Sequence, residues 1–297
     1  MLRTSAALAT RLAYRALGFR TGVVTFGDWR IRVHRGGAPR GEPWILLHGL
    51  GATSGTWLPL VRRLRGECRF VLPELSRLGG SRGPRPALSV PEGAALIDRL
   101  LASDFAGRSP TVCGISLGGW MAVRAAAEAP TRFARLLLVV PGGYRDQDWE
   151  RISRMVRVAS YQDSEAMWRA LFVSPPWWLR RARPIFYLSY RSPEVAAILA
   201  TVREEDAFGD EELARLDLPV GLIWGERDDL FRLEVGERMA AVLPHGRLWS
   251  VAGAAHALQW ERPADFVEAV RSFRAAMPLP SPATEAQDRA DGLDAGR

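Results

Sequence analysis

The stretch TVCGISLGGW, residues 111–120, sets Ser116 between Gly114 and Gly118 directly after an apolar run. A serine flanked in this way is either a nucleophile on a sharp strand-to-helix turn or a small residue among glycines. The chain holds 28 glycines, so the pattern carries little by itself. Its reading depends on what the neighbouring segments place beside it.

Working outward, the short apolar runs WILLHG, FVLPE, TVCGIS, LLLVVP, GLIWGE and RLWSVA recur along the chain, separated by segments of helical spacing. In one of these, Ser89 and Glu92 stand three apart before apolar Ala94, Leu96, Leu100 and Leu101, the mark of a capped helix. Near the start, VVTF and WRIRV flank a Gly-Asp pair and predict a hairpin. Strands alternating with helices predict an α/β fold, a mostly parallel sheet with helices on both faces. The alternation breaks between the runs near 136–140 and 220–224. Residues 145–212 are rich in helix formers and aromatics and too long for a structureless loop, so a helical insertion is expected there.

In a parallel sheet, ligands bind where the strands end, and four such ends carry polar chemistry. HGLGATSGTW follows one run, Ser116 a second, Asp228 a third, and GAAHALQWERP with His256 a fourth. A serine hydroxyl attacks only if a base takes its proton, and imidazole, with an ordinary pKa of about 6.5, is suited to that exchange. A carboxylate then holds the ring in the right tautomer and stabilises the imidazolium. Ser116, His256 and Asp228 fit these roles, with Asp229 and Glu226 as neighbouring alternatives for the carboxylate. The backbone N–H groups of Leu50 and Leu117 are placed to receive a developing oxyanion. His34 and His245 are assigned to solvent or local bonds.

HGLG with Trp57 after it, GISLGG, WGERD and GAAHALQWERP, in the order serine, aspartate, histidine, resemble the α/β-hydrolase family from about residue 22 to 277. That resemblance implies a Ser116–Asp228–His256 triad, an oxyanion hole at Leu50 and Leu117, and a cap over the substrate. It also implies substrate contacts from Gly49, Trp57 and Trp120, and a structural hydrogen-bonding role for His48 in the loop scaffold. The expected organisation is an amphipathic segment 1–20, core 21–144, helical cap 145–212, core 213–277 and a disordered tail 278–297. The expected reaction is hydrolysis of a carboxylic ester through an acyl-enzyme, as in small bacterial lipases, esterases and monoacylglycerol-lipase-like enzymes, with no cofactor and no metal. A carbon–carbon bond hydrolase or thioesterase shares the triad, and a binding protein on this fold keeps it with little turnover. One departure stands out. Where the family often carries an acid and a glycine-rich turn after its fourth strand, this chain has ELSRLGGS, with Glu74 first and Arg77 at the first glycine position.

Composition narrows the partners. The net charge is +7, yet every basic residue is arginine, with lysine and asparagine both missing, which reads as a compositional bias and not as selection for nucleic acid. No nucleic-acid partner is expected. Cys68 and Cys113 lie in apolar runs without metal-ligand spacing and read as buried thiols. The first twenty residues hold four arginines and no acid, and on a helical wheel Leu8, Leu12, Ala16 and Phe19 fall on one side. The expectation is a cytoplasmic protein acting on a small apolar ester or acyl substrate, with peripheral membrane contact through residues 1–20.

Overall fold

The GISLGG serine sits at the centre of an eight-stranded sheet of order β1-β2-β4-β3-β5-β6-β7-β8 in a computed structural model that describes residues 2–181, 183–201 and 204–279. The chain opens with α1 (Leu2–Ala16), followed by the hairpin β1 (Arg20–Phe26) and β2 (Trp29–Gly37), which turns at Gly27-Asp28 with Phe26 opposite Trp29. Then come β3 (Glu42–Leu47), α2 (Leu58–Leu64), β4 (Cys68–Pro73), α3 (Val90–Asp104), β5 (Thr111–Ile115), α4 (Leu117–Glu128) and β6 (Arg135–Val139). β1 and β2 pair antiparallel, as do β2 and β4, and every later pairing is parallel. The predicted cap on α3 is present: Ser89 Oγ accepts from the Glu92 N–H while Glu92 accepts from the Ser89 N–H at 2.9 Å.

Between β6 and β7 (Val220–Gly225) the chain forms α5 (Trp149–Val156), α6 (Tyr161–Leu171), α7 (Trp177–Arg181), α8 (Arg183–Tyr190), α9 (Pro193–Thr201) and α10 (Asp210–Ala214). The last segment adds α11 (Leu233–Val242), β8 (Gly246–Val251), α12 (Leu258–Glu261) and α13 (Pro263–Ala276). Central strands β5, β6 and β7 are buried along their whole length, because helices cover both faces. That is why their sequences read as unbroken apolar runs. The tail expected over 278–297 lies, apart from Pro278 and Leu279, outside the described residues.

Where the parallel strands begin, the sheet carries a partly buried charge network. The Arg135 side chain pairs with Glu42, donates to Thr111 Oγ1 at 2.9 Å and lies 4.8 Å from the centre of the Phe273 ring. Arg274 bridges Glu42 and Glu67 at 3.0 and 2.6 Å. These charges are paired and sit at the edge opposite the serine, so they hold strand ends together. Cys68 and Cys113 are buried free thiols; burial pushes the first up to about 12 and raises the second as well.

Helix α1 does not pack through Leu8 and Leu12. Its packed face is Ala7, Thr10 and Tyr14, while Leu8 and Leu12 are 44% and 51% exposed. Phe19 is buried, but beyond the end of the helix. Tyr14 sets this orientation: its hydroxyl donates to the Ser54 carbonyl at 2.7 Å and its ring stacks on His34 at 4.8 Å.

Candidate active site

Ser116 follows the last residue of β5 with φ 54° and ψ −117°, in a region that side chains other than glycine rarely occupy. The turn is held by its backbone. The Ser116 N–H donates to the Val139 carbonyl at 3.0 Å, and the Ser116 carbonyl accepts from the N–H groups of Gly119, Trp120 and Gly142. The flanking glycines have steric causes. A Cβ on Gly114 would sit 2.2 Å from the Gly118 carbonyl oxygen, and one on Gly118 would sit 2.5 Å from the Leu47 carbonyl oxygen. The turn packs backbone against backbone from β3, β5 and α4, which leaves the serine side chain as the group that faces out.

Asp228 and His256 come from the loops after β7 and β8. Those loops are tied by the Arg227 N–H to the Ala254 carbonyl at 2.8 Å and by the Glu226 N–H to the Val251 carbonyl at 3.2 Å. His256 Nδ1 then lies 2.8 Å from Asp228 Oδ2. The other Asp228 oxygen accepts from the N–H groups of Leu230 and Phe231 at 2.8 and 2.9 Å. With an ionised carboxylate on Nδ1, the ring proton belongs there and Nε2 is left with a lone pair. Phe231 stands edge-on to the imidazole at 5.0 Å. Asp229 and Glu226 are exposed, and Glu226 accepts from Ser250 Oγ.

Ser116 and His256 line one cavity, together with Gly49, Leu50, Leu117 and Trp120. Its remaining wall is largely apolar and drawn from the inserted helices, with Leu171 and Phe172 at the end of α6, Leu179 on α7, and Phe186 and Tyr190 on α8. Leu117 N–H opens α4 and Leu50 N–H lies on the loop after β3; among the described residues neither donates to another protein group. Trp120 donates its indole N–H to the Asp206 carbonyl at 2.7 Å and packs on Trp149. Trp57 does not join this wall. It is fully buried and packs against Phe266 of α13, because the short 54–57 turn directs it inward under the loop. Among the described residues no group of three or more His, Cys, Asp or Glu is placed to hold a metal ion.

Of the support of the 48–57 loop, only the part of His48 was legible in the sequence. Glu74, the acid of the atypical ELSRLGGS segment, is fully buried; it accepts from Ser54 Oγ at 2.5 Å and Ser54 N–H at 3.1 Å, and lies 3.3 Å from His34 Nε2. His34 is therefore completely buried, not at the surface, and its Nδ1 meets Thr21 Oγ1 at 2.9 Å. His48 accepts the Leu75 N–H on Nε2 at 3.0 Å and directs Nδ1 at the Gly49 carbonyl, the geometry of a neutral ring. Burial depresses its pKa. Burial alone would raise Glu74, but the hydrogen bonds from His34 and Ser54 outweigh it and hold the carboxyl below its ordinary range. Two further contacts reach the same loop. Gln259 donates to Thr56 Oγ1 at 2.9 Å, and the Tyr190 hydroxyl of α8 donates to the Leu50 carbonyl at 3.4 Å.

A sheet of this order, with the serine turn after β5, is the architecture of one family, and the chain belongs to it: residues 44–269 match the Alpha/beta hydrolase family. An uncharacterized protein of Mycobacterium tuberculosis is 27% identical over 262 residues, covering 80% of this chain and 76% of that one. Lipase 3 of a Moraxella species is 20% identical over 245 residues, 79% of this chain and 78% of its own. Among solved structures, a membrane phospholipase A described as a bacterial virulence factor superposes with a TM-score of 0.79 at 23% identity, covering 93% of this chain and 92% of that one.

Proposed function

We propose that the chain is a serine hydrolase that cleaves a carboxylic ester with an apolar acyl group. His256 Nε2 takes the Ser116 proton as the hydroxyl oxygen attacks the ester carbonyl carbon, and Asp228 stabilises the resulting imidazolium. The N–H groups of Leu50 and Leu117 receive the oxyanion. Collapse of the tetrahedral adduct breaks the bond to the leaving alkoxide, which takes the proton from His256 and departs as the alcohol. Water, activated in turn by His256, adds to the acyl-enzyme and releases the acid, restoring the serine.

The observation that carries this reading is the 2.8 Å His256–Asp228 contact beside a cavity that Ser116 also lines. Apolar walls from Leu171, Phe172, Leu179 and Phe186 favour an acyl chain over a polar substrate. In this reading the helices between β6 and β7 act as the cap. The lipase and phospholipase named among the similar proteins both act on esters, which agrees with this reading.

The test combines a fluorophosphonate probe with p-nitrophenyl esters of short and long acyl chain, on the wild-type protein and Ser116→Ala. Ser116-dependent labelling and release, rising with chain length until the cavity is filled, is the expected result. Neither labelling nor release would leave a binding protein on this fold as the better reading.

A further inference from the structure

The departure at Arg77 acquires a setting in the folded chain. Helix α1 lies against the short 77–79 turn, and the groove beside the contact is lined by Leu8, Arg11, Arg32, Arg77, Ser81 and Arg82. Several arginines elsewhere meet carboxylates, such as Arg35 with Asp104, Arg132 with Asp98, Arg135 with Glu42 and Arg238 with Asp146 and Asp210. In the groove they do not. Arg32 donates one N–H to the Gly79 carbonyl at 3.1 Å and Arg77 one to the Gly83 carbonyl at 2.6 Å. No described carboxylate pairs with any of the four guanidinium groups. Gly80 keeps space for one of them, since a Cβ there would lie 2.1 Å from Arg32 Nη1.

A groove of unneutralised guanidinium groups repels itself and is stabilised by an anion, and planar guanidinium forks suit phosphate oxygens. The helix that forms one wall adds a second feature. Leu8 and Leu12 are exposed, on the helix that also carries Arg11 and Arg15, and α1 has no acid in its first turn. Apolar side chains beside unpaired arginines match the junction between acyl chains and phosphate headgroups.

We propose that the α1 groove docks the protein on an anionic phospholipid surface, with Arg11, Arg32, Arg77 and Arg82 taking headgroup phosphates and Leu8 and Leu12 entering the apolar layer. Charge complementarity selects this occupant. The surface is separate from the Ser116 cavity and shares none of its lining residues.

The experiment is sedimentation of the full-length protein with vesicles of phosphatidylcholine alone and of phosphatidylcholine mixed with phosphatidylglycerol, at low and high salt. Expected is binding to the anionic vesicles only, weakened by salt. Arg77→Gln with Arg82→Gln should lower partitioning about fivefold per arginine, and Leu8→Gln with Leu12→Gln by more than about tenfold. Thermal melting of each variant shows that the fold is kept. Sedimentation reads mass and not turnover, so the result stands apart from the ester-hydrolase proposal. Equal binding to neutral and anionic vesicles, or unchanged binding of the arginine variant, overturns the idea. So does saturable binding of inorganic phosphate without vesicle binding, which would make the groove a site for a free anion. Loss of binding only on Trp177→Ser with Trp178→Ser, the exposed tryptophans of α7, would move the docking face to the inserted helices and overturn it equally.

Discussion

His256 Nδ1 meets Asp228 Oδ2 at 2.8 Å, and the second Asp228 oxygen is saturated by the N–H groups of Leu230 and Phe231. The carboxylate is thus held on both sides, so it can neither swing toward solvent nor let the ring rotate. Its neighbours in sequence, Asp229 and Glu226, are exposed, whereas Asp228 is buried against the imidazole.

This geometry separates three carboxylates by experiment. Asp228→Asn should lower ester turnover by about 10⁴-fold through loss of the right tautomer. Asp229→Asn and Glu226→Gln should leave it within about twofold, which steady-state kinetics on a short p-nitrophenyl ester would show.

Ser116→Ala should abolish covalent labelling and lower turnover by a factor on the order of 10⁶. Thermal melting of this variant should match or exceed that of the wild type, since removing a hydroxyl from a strained turn relieves nothing the fold needs. A labelled Ser116→Ala protein would place the nucleophile elsewhere.

Gly118→Ala tests the packing of the turn itself. Its methyl group would lie 2.5 Å from the Leu47 carbonyl oxygen, a backbone atom that no side-chain rotation can move. The expected loss is about 1 to 3 kcal/mol of stability, read by chemical denaturation, together with loss of activity as the 48–50 loop is displaced.

Acid should destabilise the protein in two stages. Below about 6.5 the unfolded chain protonates His48 while the folded one, with its pKa depressed by burial, does not; the unfolded state binds more protons and stability falls. Below about 4.5 the same holds for Glu74, whose folded pKa is lowered. Glu74→Gln should shrink the second stage, to which Glu92 and Glu67 also contribute, and cost about 1 to 3 kcal/mol at neutral pH through the broken Ser54 and His34 contacts. Urea unfolding from pH 4 to 8, in wild type and variant, measures both.

Tyr14→Phe should cost about 1 kcal/mol by deleting the hydrogen bond from α1 to the Ser54 carbonyl. Because Ser54 belongs to the loop that also carries Leu50, turnover should fall more than stability alone would suggest. Comparing kcat with KM tells whether the loop has shifted.

Much of this protein was decided along the chain. Apolar runs spaced by helical segments specify a parallel sheet because buried strands must be apolar on both faces, and Gly114, Ser116 and Gly118 specify the turn because their steric demands are local. The sequence favoured Asp228 and left Asp229 and Glu226 open, since the choice depends on which side chain the β7 and β8 loops turn toward each other. Trp57 went to the core, and His34 and Glu74 into a buried network, for the same reason. A burial partner is set by the approach of segments far apart in the chain, as Tyr14 and Ser54 approach across α1, and polarity patterns contain no record of that distance.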